Sequence, residues 1–264
     1  MGAKKDLLVF IHQYGGVRDV VLIPVLTALA ACVLMFGLNI PLGYLNYGLG
    51  EGLKAIADYN LSALIGIIIG LMMAADMGGP INKASYVFGT LTIDATQNVY
   101  AGIRSTNGGT VFIAAAMLTG MVPPLALALC TRMFKKYWTK KDVEQGNTNW
   151  FLEACFITEG AIPFAASDPK RTIQSIMVGS AVSGAIVSGF GVTLAPHGGL
   201  FVFPLLQIQD NGKNWFTISN HGASIGVAVL ISVVALIIGS FISALLLGFW
   251  RMYALKAKKI TLAS

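Results

Sequence analysis

Five stretches of this chain are apolar over fifteen to twenty-eight consecutive positions, and that constrains its fold more than any other feature. They are roughly Val20–Leu38, Leu61–Ala75 (extending toward Met77), Val111–Cys130, Ile173–Leu194 and Ala223–Trp250. A helix needs about 20 mostly apolar residues to cross the hydrocarbon core of a bilayer. The pattern therefore predicts an all-α, polytopic membrane protein with about five spans. A sixth stretch, Phe151–Ala166, is apolar but short and is interrupted by Glu153, Glu159 and Pro163. It reads as a re-entrant hairpin near 151–168, since irregular backbone at membrane depth must be buried in protein or line a cavity. The region 78–110, rich in Gly, Asn and Thr, is ambiguous on the same grounds.

Composition agrees. Of the 264 residues 55% are hydrophobic and 11% charged, against about 25% charged in soluble domains. The net charge of +6 matches Lys and Arg gathered in cytoplasmic loops rather than a nucleic-acid surface. Cys32, Cys130 and Cys155 are far apart and form no CxxC pair, so neither a disulfide framework nor a zinc site is expected. No signal peptide is visible; the spans themselves direct insertion.

Two basic clusters set the sidedness. Arg132, Lys135, Lys136, Lys140 and Lys141 follow the third span, and Arg251, Lys256, Lys258 and Lys259 follow the fifth. Two spans and a hairpin separate them, so both can face the cytoplasm. The loop Ala195–His221 between the fourth and fifth spans has just two charged residues, Asp210 and Lys213, which fits the outer side or a buried site. Counting back puts the N-terminus outside, against the preference of Lys4, Lys5 and Arg18. An odd number of preceding spans would resolve this, as if the chain were part of a larger membrane unit. The expected organisation is an N-terminal segment 1–19, a membrane domain 20–250 and a basic cytoplasmic tail 251–264. Gly66 and Gly70, then Ser180, Gly184 and Ser188, then Ser240, Ala244 and Gly248 repeat at four-residue spacing. Small residues so placed let helices approach closely, here as ordinary packing within the bundle.

Ionisable groups near membrane depth are functional suspects, and three polar islands hold them. In Asp76-Met-Gly-Gly-Pro-Ile-Asn-Lys83, the residues Gly78, Gly79 and Pro80 break a helix and place Asn82 and Lys83 at the break. Either Asp76 and Lys83 simply pair at an interface, or the break binds a polar ligand. In Phe156-Ile-Thr-Glu-Gly-Ala-Ile-Pro-Phe164, the lone carboxylate of Glu159 lies between Thr158 and Gly160. Burial would raise its pKa and suit it to bind a hydroxyl or take its proton, the alternative being a structural plug tied to backbone N–H groups. Asp168 before Pro169 is expected to cap a helix. In Ala195-Pro-His-Gly-Gly199, His197 and Gly198 offer an imidazole in close-packed backbone. His12 and His221 lack such surroundings. No HExxH, GxSxG, P-loop or dinucleotide motif occurs. The few buried polar groups suit a small, uncharged, hydroxyl-rich ligand; a sugar fits, and composition alone does not separate it from a neutral amino acid.

The three islands, in this order, resemble the signature stretches of the fructose-type enzyme IIC, the membrane component of the bacterial phosphoenolpyruvate-dependent sugar phosphotransferase system. The resemblance runs from about Val20 to Trp250 and is to the C-terminal, substrate-binding half. It implies that a hexose binds within re-entrant hairpins, is carried inward by an elevator-like movement, and is phosphorylated by the phosphocysteine of an enzyme IIB partner. It implies Glu159 as the group that binds the sugar and orients or deprotonates its attacking hydroxyl. Asn82, Thr158, Gly160, His197 and Gly198 would line the sugar; Asp76, Gly78, Gly79, Pro80, Lys83 and Asp168 would hold the breaks. No metal or other cofactor is implied. The implied partners are the sugar, enzymes IIA and IIB, a separate N-terminal enzyme IIC half and the lipid of a bacterial inner membrane. A proton-coupled permease without phosphorylation, and a truncated remnant or sugar sensor, are the competing readings.

Overall fold

The computed structural model describes residues 22–58, 62–91, 110–196, 198–208 and 221–257. It is helical nearly throughout. Helix α1 spans Ile23–Asp58, α2 Ser62–Ala75, α3 Pro80–Leu91, α4 Val111–Met133, α5 Lys140–Ala154, α6 Ile162–Ser167, α7 Pro169–Gly189 and α8 His221–Lys256. Two two-residue strands, β1 (Val192–Thr193) and β2 (Gln207–Ile208), pair antiparallel. Contacts divide the chain into two units, Met1–Gly48 and Leu49–Ser264. In the first unit, α1 exposes Leu26, Val33 and Phe36, the surface expected of a helix that meets lipid.

The second unit is built around α4. This helix is buried from Val111 to Thr131 apart from Leu129, and α2, α5, α7 and α8 pack on it. Being apolar all round, it fits only the centre of a bundle. Val111–Met133, Pro169–Gly189 and Ala223–Lys256 are long and apolar enough to span a membrane; Ile23–Gly37 and Ser62–Ala75 are shorter apolar helices. The small-residue repeats meet one another inside the chain. A Cβ on Gly66 would collide with the carbonyl oxygen of Gly184, and one on Gly70 with that of Ser180, so α2 and α7 touch backbone to backbone. Gly179 meets Gly239 in the same way between α7 and α8.

Several boundaries differ from the sequence reading. The fourth span ends at Gly189 rather than Leu194: the chain turns at Phe190–Gly191, and the β-branched Val192 and Thr193 pair with β2. Phe151 lies inside α5, which starts well before the apolar stretch because Thr139 and Asp142 form a reciprocal capping box, each N–H bonding the other's side chain at 3.1 Å. The chain reverses at Cys155–Ile157, with Phe156 at φ +61°. The segment read as a re-entrant hairpin is thus the end of α5, this reversal, a 3-10 turn at Thr158–Ala161, and α6. Helix α8 runs on through Lys256, so Arg251 belongs to a helix and not to a free tail. Its Nε donates to the carbonyl of Tyr137 at 3.0 Å. That bond joins the segment after α4 to the end of α8. The N-terminal Lys4, Lys5, His12 and Arg18, together with Asp210, Lys213, Lys258 and Lys259, lie outside the described residues.

Candidate functional site

The helix break after α2 is organised by Asp76. Its carboxylate oxygens accept from the backbone N–H of Ile81 (2.7 Å) and Asn82 (2.9 Å), capping the N-terminus of α3 where free N–H groups and the helix dipole favour a negative charge. Lys83 is exposed, and among the described residues no ion pair links it to Asp76. The Asp76–Lys83 pairing expected as one reading is therefore absent, because Asp76 is committed to backbone donors. Asn82 is buried, and its amide donates to the carbonyl of Met73 at 2.7 Å. It ties α3 to the last turn of α2.

Gly78 sits at φ +104°, a conformation that side chains with a Cβ rarely adopt. More telling is what faces it. A Cβ there would fall 2.5 Å from Oε1 of Glu159. Two islands eighty residues apart in the chain thus meet: the carboxylate of the Thr158–Ala161 turn lies directly on the glycine of the break. Glu159 is exposed, so the burial invoked for it from sequence does not hold; the carboxylate is open for a ligand to reach. Thr158 beside it is buried and donates its hydroxyl to the carbonyl of Gly120 at 2.9 Å. Gly120 in turn has no room for a side chain, because Phe156, Met73 and Thr158 fill that space.

The third island closes on the reversal that precedes this turn. Gly199, at φ +67°, lies so close to α5 that a Cβ would strike the carbonyl of Ala154 and come within 2.9 Å of the N of Phe156. Gly199 therefore presses on the backbone that leads toward Glu159. Gly198 is half-buried beside it. His197 lies outside the described residues.

Asp168 stands at the N-cap position of α7 but makes no capping bond through its side chain. Its carboxylate is held by Arg171 (2.9 and 3.1 Å) and faces Arg251 at 3.7 Å. The cap expected from sequence gives way to an ion cluster, since two guanidinium groups compete more strongly for it than backbone N–H groups do. The Arg251 guanidinium also lies 3.9 Å over the Trp138 ring, and Trp138 packs edge-on against Phe164.

Sequence reasoning missed Arg251, Trp138 and the inward face of α5. That face consists of Gly146, Asn149 and Glu153. Their spacing of three and four is the helical signal that could have found them. Glu153 is buried, and desolvation pushes its carboxyl up to about 7.

Comparison with known proteins places the chain in a family. Residues 12–179 match the family described as "Phosphotransferase system, EIIC". The chain is 40% identical over 87% of its length to the PTS system fructose-specific EIIABC component of Mycoplasma pneumoniae, covering 31% of that protein. It is 40% identical over 92% of its length to the Fructose permease IIC component of Bacillus amyloliquefaciens, covering 70% of it. It is 44% identical over 70% of its length to the PTS system fructose-specific EIIC component of Haloferax volcanii, covering 47% of it. The chain thus spans about a third of the multidomain relatives and more of the single-component ones. No solved structure matches it. With more than half of its residues in the family match, and with three helices long and apolar enough to cross a membrane, the chain belongs to the EIIC family of the phosphotransferase system.

Proposed function

We propose that this chain carries the sugar site of a fructose-type phosphotransferase permease in a bacterial cytoplasmic membrane, and that Glu159 is its catalytic carboxylate. The observation that carries the reading is the placement of the Glu159 carboxylate on Gly78, with Gly199 pressed on the reversal that precedes this turn. An open carboxylate on a glycine-lined break can accept a hydrogen bond from a sugar hydroxyl and take its proton. The hydroxyl oxygen then attacks the phosphorus carried on the cysteine of an enzyme IIB partner; the P–O bond forms, the P–S bond breaks, and the thiolate leaves. Transfer of this kind depends mainly on positioning and charge stabilisation, so this half of the reaction needs no metal. Thr158, Gly160, Asn82, His197 and Gly198 are the proposed surroundings of the sugar. Enzyme IIA, enzyme IIB and an N-terminal enzyme IIC half, on this or other polypeptides, complete the system.

The test is phosphoenolpyruvate-dependent phosphorylation of a labelled hexose panel by membrane vesicles containing the chain, with the soluble phosphotransfer proteins and partner modules added in turn. Sugar phosphate is expected from the wild type, with fructose the leading substrate, and none above background from Glu159→Gln at equal membrane abundance. Full activity of Glu159→Gln would overturn the site. Uptake of free hexose without any sugar phosphate would replace this reading with a proton-coupled permease, and hexose binding without uptake or phosphate with a sensor.

A further inference from the structure

Asn149 is completely buried, and neither its amide nitrogen nor its carbonyl oxygen has a hydrogen-bond partner. Buried carboxamides are nearly always paired, because each unmet donor or acceptor costs free energy that an apolar side chain of the same shape would not. An Asn that served packing alone would be better replaced by Leu. Its place in the fold points to another role. Oδ1 lies against Gly160, the residue after Glu159, where a Cβ would come within 2.7 Å of it. The side chain belongs to the inward face of α5, which packs on α4 and on the Thr158–Ala161 turn.

That turn is held unevenly. On the α4 side the Thr158 hydroxyl bonds the Gly120 carbonyl. At its start, Ile157 provides no side-chain cap for the first N–H groups. An uncapped turn of backbone donors and an unpaired carboxamide therefore stand side by side, directly behind the Glu159 carboxylate.

We propose that Asn149 is a positioning residue of the Glu159 site, its carboxamide closing on the uncapped start of the Thr158–Ala161 turn and so fixing the direction of the Glu159 side chain. The inference rests on the reading of Glu159 given above. Two arrangements of the turn follow from it. In the one described here Oδ1 touches Gly160 without bonding; in the closed one it accepts from the turn's first N–H groups and both are satisfied. Asn149 acts through Glu159 and touches no reacting atom.

The test compares Asn149→Leu, Asn149→Asp and Glu159→Gln with the wild type, each in vesicles with the complete set of phosphotransfer partners. Thermal stability, kcat and KM for hexose phosphorylation are measured. Asn149→Leu should melt no lower than the wild type yet lose about 10- to 100-fold in kcat, the scale on which misplaced catalytic groups fail, with KM little changed. Asn149→Asp keeps the acceptor and should retain most of the rate. Should Asn149→Leu not insert, Asn149→Ala serves in its place, and failure of both to fold would make the residue structural and overturn the proposal. Wild-type kcat in a folded Asn149→Leu beside an inactive Glu159→Gln overturns this inference alone, as does a rise in KM at constant kcat. An active Glu159→Gln overturns the site itself, and this inference with it.

Discussion

The stretch from Thr158 to Asp168 is held in opposite ways at its two ends. At Asp168 the carboxylate is buried between Arg171 and Arg251, Arg251 lies on Trp138 and bonds the Tyr137 carbonyl, and Trp138 meets Phe164 edge-on. Three separate elements are thereby fastened to the exit of the hairpin. At Thr158 the hydroxyl bond to Gly120 ties the turn to α4, Glu159 is exposed, and the neighbouring Asn149 side chain is unpaired. A reactive side chain on a short segment is placed accurately when the segment is anchored elsewhere and left free where the ligand enters. The charged network and the carboxylate proposed for catalysis therefore occupy different ends of one segment. The buried ion cluster is the anchor, and the weakly tied end is where chemistry is expected.

Breaking the anchor should have the largest effect. Asp168→Asn leaves two guanidinium groups facing each other in a buried site with no negative charge between them. Removing one partner of such a cluster costs about 3–5 kcal/mol. The variant should melt well below the wild type in detergent or lipid, while protein that has folded still phosphorylates sugar. An unchanged melting temperature would mean the cluster anchors nothing. The open end should respond in the opposite manner. Gly78→Ala puts a methyl group where Oε1 of Glu159 lies, and the flexible carboxylate is what gives way. Phosphorylation should fall about 10- to 100-fold, with a stability loss of only about 1 kcal/mol from the positive φ. A variant as active as the wild type would show that Glu159 does not work from this position.

Much of this contrast was half legible in the chain. Each polar island stands out because Gly, Pro and a lone carboxylate interrupt otherwise apolar runs, and the bundle follows from the lengths of those runs. Which islands touch was not readable, because Gly78 and Glu159 come together only through the packing of α2 and α4 beneath them. Arg251 looked like one more basic residue after a span; its role depends on Asp168 and Tyr137, far away in sequence and without a local pattern. The reversal at Cys155–Ile157 was hidden for a different reason. Phe156 adopts φ +61° without glycine's help, so the usual mark of a turn is missing there. Asn149 escaped notice because α5 is polar overall, and its inward face stands out only once α4 is known to lie against it.

Glu153, one turn along α5 from Asn149, sharpens the comparison with the smallest effect. It is buried without an ion pair among the described residues, and burial raises its carboxyl from 4.5 to about 7. Between those values the folded chain keeps a proton that the unfolded chain has released. Stability is therefore greatest at acid pH, falls as pH rises through this window, and stays lower above it. Glu153→Gln keeps the shape and removes the titration, so its stability should not decline between about pH 4.5 and 7. At pH 8 it should exceed the wild type by an amount on the order of 2 kcal/mol, and at pH 4 the two should coincide. Melting curves across this range decide the matter. A wild-type profile that rises from pH 5 to 7 by the same amount in both proteins would show that Glu153 is charged in the fold, and that the inward face of α5 is wetter than its burial indicates.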